Sequence, residues 1–240
     1  MRPLDAPAWQ QLAGLPSVAI GATVPAYVIA LRLQRRCAGS PILNPTLVTI
    51  LLVVGLLQLT GTRYETYVRS ASFIHFMLGP AVGLLAVPLF RQTALIRASG
   101  VVIAIALAIG LPAGIVTAVG LAWLLGGHAE TLLSLAPKSL TTGIAIGVSQ
   151  AIGGVPALTA VFVILTGIIG AVCGPATVRL MGISDVRILG LAMGIGSHGI
   201  GTARAFQFGD VAGAFSSLGM SLNGVLTAVL LPLFITLLPA

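Results

Sequence analysis

From Ala98 to Gly127 the chain runs for thirty residues without an Asp, Glu, Lys or Arg. About 20 apolar residues suffice to cross a bilayer core as a helix, so this run predicts a membrane span. The rest of the chain agrees. Hydrophobic residues make up 57% and charged residues 7% of the 240 positions, against roughly 25% charged in soluble domains. The predicted class is an all-α integral membrane protein of the bacterial cytoplasmic (inner) membrane, multi-pass. The start, with Arg2, Asp5 and two prolines before a long apolar run, does not read as a cleaved signal peptide.

Six full transmembrane helices are predicted, at about 12–31, 41–60, 70–90, 98–125, 155–178 and 211–238. Two further stretches, about 129–153 and 187–210, are apolar but interrupted, the first by "LAPKSLTTG" and the second by "GSHGIGTARA". The positive-inside rule bears on how these two run. Arg32, Arg35 and Arg36 follow the first segment, and Arg91 and Arg97 follow the third, which makes those loops cytoplasmic. Arg179 and Arg187 then fall on the cytoplasmic side only if 129–153 dips in and returns. The same logic makes 187–210 a second re-entrant hairpin, entering from the cytoplasm. Kinked full spans are the alternative.

"KSLTTGIA" (138–145) and "HGIGTARA" (198–205) align at an offset of sixty, pairing Thr142 with Thr202 and Gly153 with Gly213. Two copies of hairpin plus helix, oppositely directed, would form an inverted repeat of the kind found in transporters. Chance similarity in Gly/Ala-rich sequence is the competing reading. The expected organisation is membrane scaffold helices over 1–126 and a substrate-binding bundle with two interrupted helices over 127–240, within one membrane domain.

Non-helical backbone at membrane depth must be buried in protein or line a wet cavity. A half-helix that restarts there points free N–H groups and a positive dipole end at that cavity, which suits an anion. The first break carries Lys138, the chain's sole lysine, with Ser139, Thr141 and Thr142; the second carries His198, Gly199, Gly201, Thr202 and Arg204. Together they predict a site for a small carboxylate, with Asn44, Gln150, Asp210 and Asn223 as a secondary set. Each has a blander reading. Lys138 could snorkel from a surface loop, His198 could bond a neighbouring carbonyl, and Arg204 could pair with Asp210. Thr and Ser could bond their own backbone, Asn44 could cap a helix before Pro45, and Asn223 could merely join helices.

The excess of arginine sits at the ends of apolar runs, which argues for membrane orientation and against nucleic acid. Cys37 and Cys173 lie far apart without a CxxC or His/Cys cluster, so neither a metal site nor a cofactor is expected. There is no nucleophile–base–acid set and no phosphate-binding loop, so the chain is not read as an enzyme.

The motifs "LAPKSLTTGIAI", "LGLAMGIGSHGIGTARAF" and "GAFSSLGMSLNGVLTAVLLPL", preceded in order by "PILNPTLV", "YETY" and "LGPAVGLLAVPLF", resemble the LrgB family, also called CidB or YohK. The resemblance covers nearly the whole chain from about residue 40. It implies antiholin-like control of murein hydrolases and lysis, or transport of small carboxylates such as pyruvate, with plant relatives exchanging glycolate and glycerate. It also implies a separate small membrane partner of the LrgA/CidA type; a homodimer would suit such a layout. Many relatives carry Pro after the paired threonines and an acid near position 150, where this chain has Gly143 and Gln150. That removes the carboxylate on which cation or proton coupling there would depend, and leaves Asp210 as the nearest acid to either break. The sequence therefore supports a secondary carboxylate transporter, with an antiholin-like regulator or pore component as the alternative.

Overall fold

The computed structural model describes residues 15–37 and 43–237; the readings made for residues 1–14, Pro41 and Ile42 lie outside them. Every described regular element is a helix. In chain order the α-helices are α1 (Pro16–Arg36), α2 (Pro45–Thr60), α3 (Tyr64–Ser70), α4 (Ser72–Leu84), α5 (Ala86–Arg91), α6 (Thr93–Ala98), α7 (Gly100–Leu124), α8 (Ala129–Leu135), α9 (Thr142–Ile152), α10 (Pro156–Leu180), α11 (Val186–Ala205) and α12 (Asp210–Leu237), with a 3-10 turn at Phe206–Phe208 between the last two. The chain forms two compact units, Met1–Ala86 and Val87–Ala240.

In the first unit, α1 buries Ala19, Ala26, Ala30 and Gln34 along one face. Small side chains let helix backbones approach where no water is expelled to drive packing. The Thr23 hydroxyl shares a 2.7 Å hydrogen bond with the Tyr67 phenol of α3.

Among the described residues four helices, α1, α7, α10 and α12, are long and apolar enough to cross a membrane by length and composition, where the sequence predicts six full spans. The segment 41–60 yields α2, whose 16 residues reach about 24 Å, short of a ~30 Å core. Its length is set by its ends. The Asn44 side chain accepts from the Thr46 and Leu47 amides at 2.9 and 3.3 Å, and Gly61 closes the helix at φ 61°, an αL conformation that glycine adopts without strain. The segment 70–90 is broken at Leu85 into α4 and α5.

In the second unit both interrupted stretches fold back on themselves. Ser134, near the end of α8, accepts a hydrogen bond from the Val155 amide at 2.7 Å, and Thr159 donates to the Ser134 carbonyl at 3.0 Å. A continuous path from 134 to 155 would separate them by about 30 Å. The chain instead turns at 136–141, and α9 carries it back. In α11 the turn is at His198, whose φ 41° and ψ −134° interrupt an otherwise helical run. Ala205 returns to pack with Leu189 and Met193, so residues 199–205 retrace 186–197. Hairpins, rather than kinked spans, describe both.

α10 serves as a ruler between them. The first hairpin joins its N-terminal end through Val155; the second leaves from its C-terminal end after Leu180. The two hairpins thus start from opposite ends of a helix about 37 Å long. The second lies along α10 through glycines: a Cβ at Gly170 would collide with Ser197, and one at Gly167 with His198. Behind it, a Cβ at Gly194 would strike the Ser216 carbonyl of α12. Helix α7 packs in this unit as well, its Ile103 and Leu107 joining Leu191, Ile195 and Phe215 in one apolar cluster. The compact second unit itself begins at Val87.

Candidate functional site

The first hairpin's turn is short and tight. The Lys138 amide donates to the Leu135 carbonyl and the Leu140 amide to the Pro137 carbonyl, both at 3.1 Å. Pro137, with no N–H to continue α8, starts this turn. Leu140 is fully buried and packs with Ala145, Val148 and Val163. That anchor leaves Lys138 and Ser139 half-buried between buried neighbours. The Lys138 ammonium donates to the Ser139 hydroxyl at 3.2 Å, and among the described residues no carboxylate pairs with it.

The second hairpin's turn meets the first through one side chain. The Asn223 amide of α12 donates to the Ser139 carbonyl and to the Ile195 carbonyl, both at 3.2 Å. Its oxygen accepts from Thr227 at 3.3 Å. Asn223 is thus satisfied at both amide hydrogens and holds the two turns together. Beside it lies a cavity of about 90 Å³, walled by Gly110 and Gly114 of α7, the segment 136–140, Ile195, Gly196, Asn223 and Thr227. It has room for a few water molecules or a small anion. Its sole cation is Lys138, and no acid lines it.

Of the predicted site residues, Lys138, Ser139 and Asn223 come together at this cavity. Thr141 and Thr142 begin α9 beside it without forming its wall, and the Thr141 side chain does not cap the helix. The residues around His198 face elsewhere. The His198 ring lies buried, its Nε2–H donating to the Val163 carbonyl of α10 at 3.0 Å. Thr202 donates to the His198 carbonyl and shares a hydrogen bond with Ser216, each at 2.9 Å. Gly201 sits against the Met193 carbonyl, where a Cβ would not fit, and Gly199 is near the Met220 sulfur. What the second turn shows the cavity is Ile195 and Gly196, the carbonyl end of its entering arm, not the amide end at Gly199. Arg204 lies at the hairpin's base, bonded to the Gln207 side chain and stacked over Phe208. It forms no pair with Asp210, which is exposed at the start of α12. Gln150 is exposed on α9, and Asn44 is the cap of α2.

Gly110, Gly114, Gly196 and Thr227 escape the sequence reading. Gly110 and Gly114 stand four apart in the most apolar helix, the spacing at which small residues admit a neighbour. Thr227 stands one turn after Asn223.

Comparison with known proteins matches the LrgB-like family model over residues 23–237. The chain belongs to the LrgB-like family. It is 36% identical to the uncharacterized protein YxaC of Bacillus subtilis, over 95% of this chain and 98% of that one. It is also 32% identical to the holin-like protein CidB of Staphylococcus epidermidis, over 90% and 93%. No solved structure matches it. Family and helices together make this LrgB-like chain a multi-pass bacterial membrane protein.

Proposed function

We propose that the chain is a secondary transporter of small monocarboxylates of the pyruvate or glycolate type, with the carboxylate held at Lys138. The observation that carries this reading is an unpaired ammonium on a small cavity where two oppositely starting hairpins meet. An intramembrane ionisable group without a counter-ion calls for one. Lys138 neutralises the carboxylate, the Ser139 hydroxyl donates to its oxygens, and Asn223, whose own oxygen takes the Thr227 proton, fixes both turns around it. The substrate-binding bundle then extends from 127–240 back over α7, and the earlier helices act as scaffold. The paired hairpin-plus-helix units fit an inverted repeat, in which one body rocks against another around a central site.

Saturable uptake of labelled pyruvate or glycolate by proteoliposomes holding the purified chain is the expected result. Loss of a charge-assisted contact costs about 2–5 kcal/mol, so Lys138→Ala should lower kcat/KM at least about thirtyfold. Unchanged flux in that variant would overturn the reading. The similarity to a holin-like protein favours a second reading, a regulator or pore component acting beside an LrgA/CidA-like membrane protein. That reading expects unsaturable leak of unrelated solutes such as sucrose, insensitive to Lys138.

A further inference from the structure

The wall that α7 supplies to the Lys138 cavity carries no functional group: it consists of Gly110, Leu111, Gly114 and Ile115. The two glycines stand four apart, on one face of the helix. Glycine inside a helix is less stable than alanine, so something beyond α7 itself must account for the pair. Close packing accounts for other glycines of this unit. A Cβ at Gly170, Gly194 or Gly201 would run into Ser197, the Ser216 carbonyl or the Met193 carbonyl. At Gly114 a Cβ would meet nothing within 4 Å. At Gly110 its nearest neighbour would be the Ile195 Cγ2 at 3.6 Å, an ordinary contact. Neither glycine has a positive φ, so backbone conformation does not require them either. Gly100 and Gly120 of the same helix are open in the same way, but they lie outside this wall. What Gly110 and Gly114 preserve is the space of the cavity itself.

We propose that Gly110 and Gly114 set the chain length of the acid this site accepts, by leaving room for the group on the second carbon of a two- or three-carbon monocarboxylate. The proposal rests on the reading of Lys138 as the carboxylate's partner and adds the residues that choose among carboxylates. Lys138 is the sole cation on the wall, so it fixes where the carboxylate lies. The rest of the molecule must share a cavity of about 90 Å³, in which one methyl group is a large fraction of the room. With no side-chain donor on its part of the wall, α7 acts on the substrate by shape alone. Gly114 is the stronger determinant, because a methyl added there stands in open space, whereas one at Gly110 lies against Ile195. A four-carbon dicarboxylate is refused twice: it is too long, and its second carboxylate finds no second cation.

The test is uptake of labelled glycolate and pyruvate by proteoliposomes holding the full chain, with Tm of each variant measured in detergent. Pyruvate carries on its second carbon a methyl group that glycolate lacks. Comparing the pyruvate-to-glycolate ratio of kcat/KM between parent and variant cancels their difference in oxidation state. One methylene in an apolar pocket discriminates about tenfold or more, so Gly114→Ala should lower that ratio about tenfold and Gly110→Ala by less. Tm of Gly114→Ala should not fall, since alanine favours the helix and its methyl meets no neighbour. Gly120→Ala should keep the parent's ratio. Lys138-dependent uptake by the parent, together with an unchanged ratio in Gly114→Ala, would overturn this proposal alone. So would equal losses for both acids with a Tm lower by several degrees, which would make Gly114 a packing position. A parent without Lys138-dependent uptake would overturn the underlying reading and this proposal with it.

Discussion

The two hairpin turns occupy matched places in the sequence but are built in opposite ways. At the first, Lys138 has a single side-chain bond, to its own neighbour Ser139, and faces a cavity. At the second, sixty residues on, His198 is locked by its ring to Val163 and by its carbonyl to Thr202. Its backbone sits at φ 41°, a region costing a non-glycine residue about 1–3 kcal/mol. The difference separates two jobs. An under-bonded cation is free to take a ligand; a fully bonded ring reverses the chain and keeps Ile195 and Gly196 in the cavity wall.

The sharpest way to break this division is to truncate each turn in the same assay. Lys138→Ala should lose at least about thirtyfold in uptake efficiency while Tm stays within about a degree or two of the parent. His198→Ala should do the reverse. It leaves the buried Val163 carbonyl without that partner, so Tm should fall by several degrees for about 1–3 kcal/mol. Uptake per folded molecule should change less than about threefold. Equal losses of uptake from the two variants would mean that both turns touch the substrate.

A smaller contrast lies in how tightly each hairpin is seated. A Cβ at Gly170 would occupy the place of the Ser197 side chain, whereas Gly143 in the first hairpin has nothing within 4 Å. Gly170→Ala should therefore destabilise by about 1–3 kcal/mol through overpacking. Gly143→Ala should stabilise by about 0.4–1 kcal/mol, since a helical alanine loses less freedom on folding. Thermal unfolding of the two variants in one detergent checks both signs, and a neutral Gly170→Ala would mean that the second hairpin is not held tightly on α10.

Much of this was legible because the bilayer makes few demands and makes them strictly. The charge-free runs gave α7, α10 and α12 to within a few residues, and the arginine distribution alone favoured two hairpins over kinked spans. Lys138 could be singled out because one lysine among eleven arginines, beside Pro137 in an apolar stretch, has few structural uses there. Taken as sequence, "GSHGIGTARA" is a line of ligands, but hydropathy does not say which way a side chain points. His198 turns to Val163 because glycines at 167 and 170 on another helix leave room for it, a long-range pairing that no local pattern encodes. The offset of sixty aligns the turns and then loses register: Gly153 caps α9, while Gly213 lies in the first turn of α12. The shortness of α2 was hidden because the stretch 41–60 is apolar enough to read as a span from any helical start, and the Asn44 cap decides where the helix begins.

The entering arms differ as well, and this is the smallest effect to test. Asp185 caps the second hairpin, its carboxylate accepting from the Arg187 amide at 2.8 Å and from the Arg187 guanidinium. His128 stands at the same place before α8 and makes no side-chain cap. Asp185→Ala should cost about 1 kcal/mol, the usual worth of such a cap, and His128→Ala much less. The bonds to the Arg187 side chain and then to its amide hold the Asp185 carboxyl below the ordinary aspartate range, and this loop lies outside the spanning segments. A depressed folded-state value means that the carboxylate's contribution is complete above the ordinary aspartate value of about 3.9. It is lost as pH falls through the lower folded value. The parent and Asp185→Ala proteins should therefore differ in Tm at pH 7 and converge only below about pH 4. A difference that persists undiminished well below that range would mean that Asp185 acts by packing rather than by charge, and that the two arms are held alike.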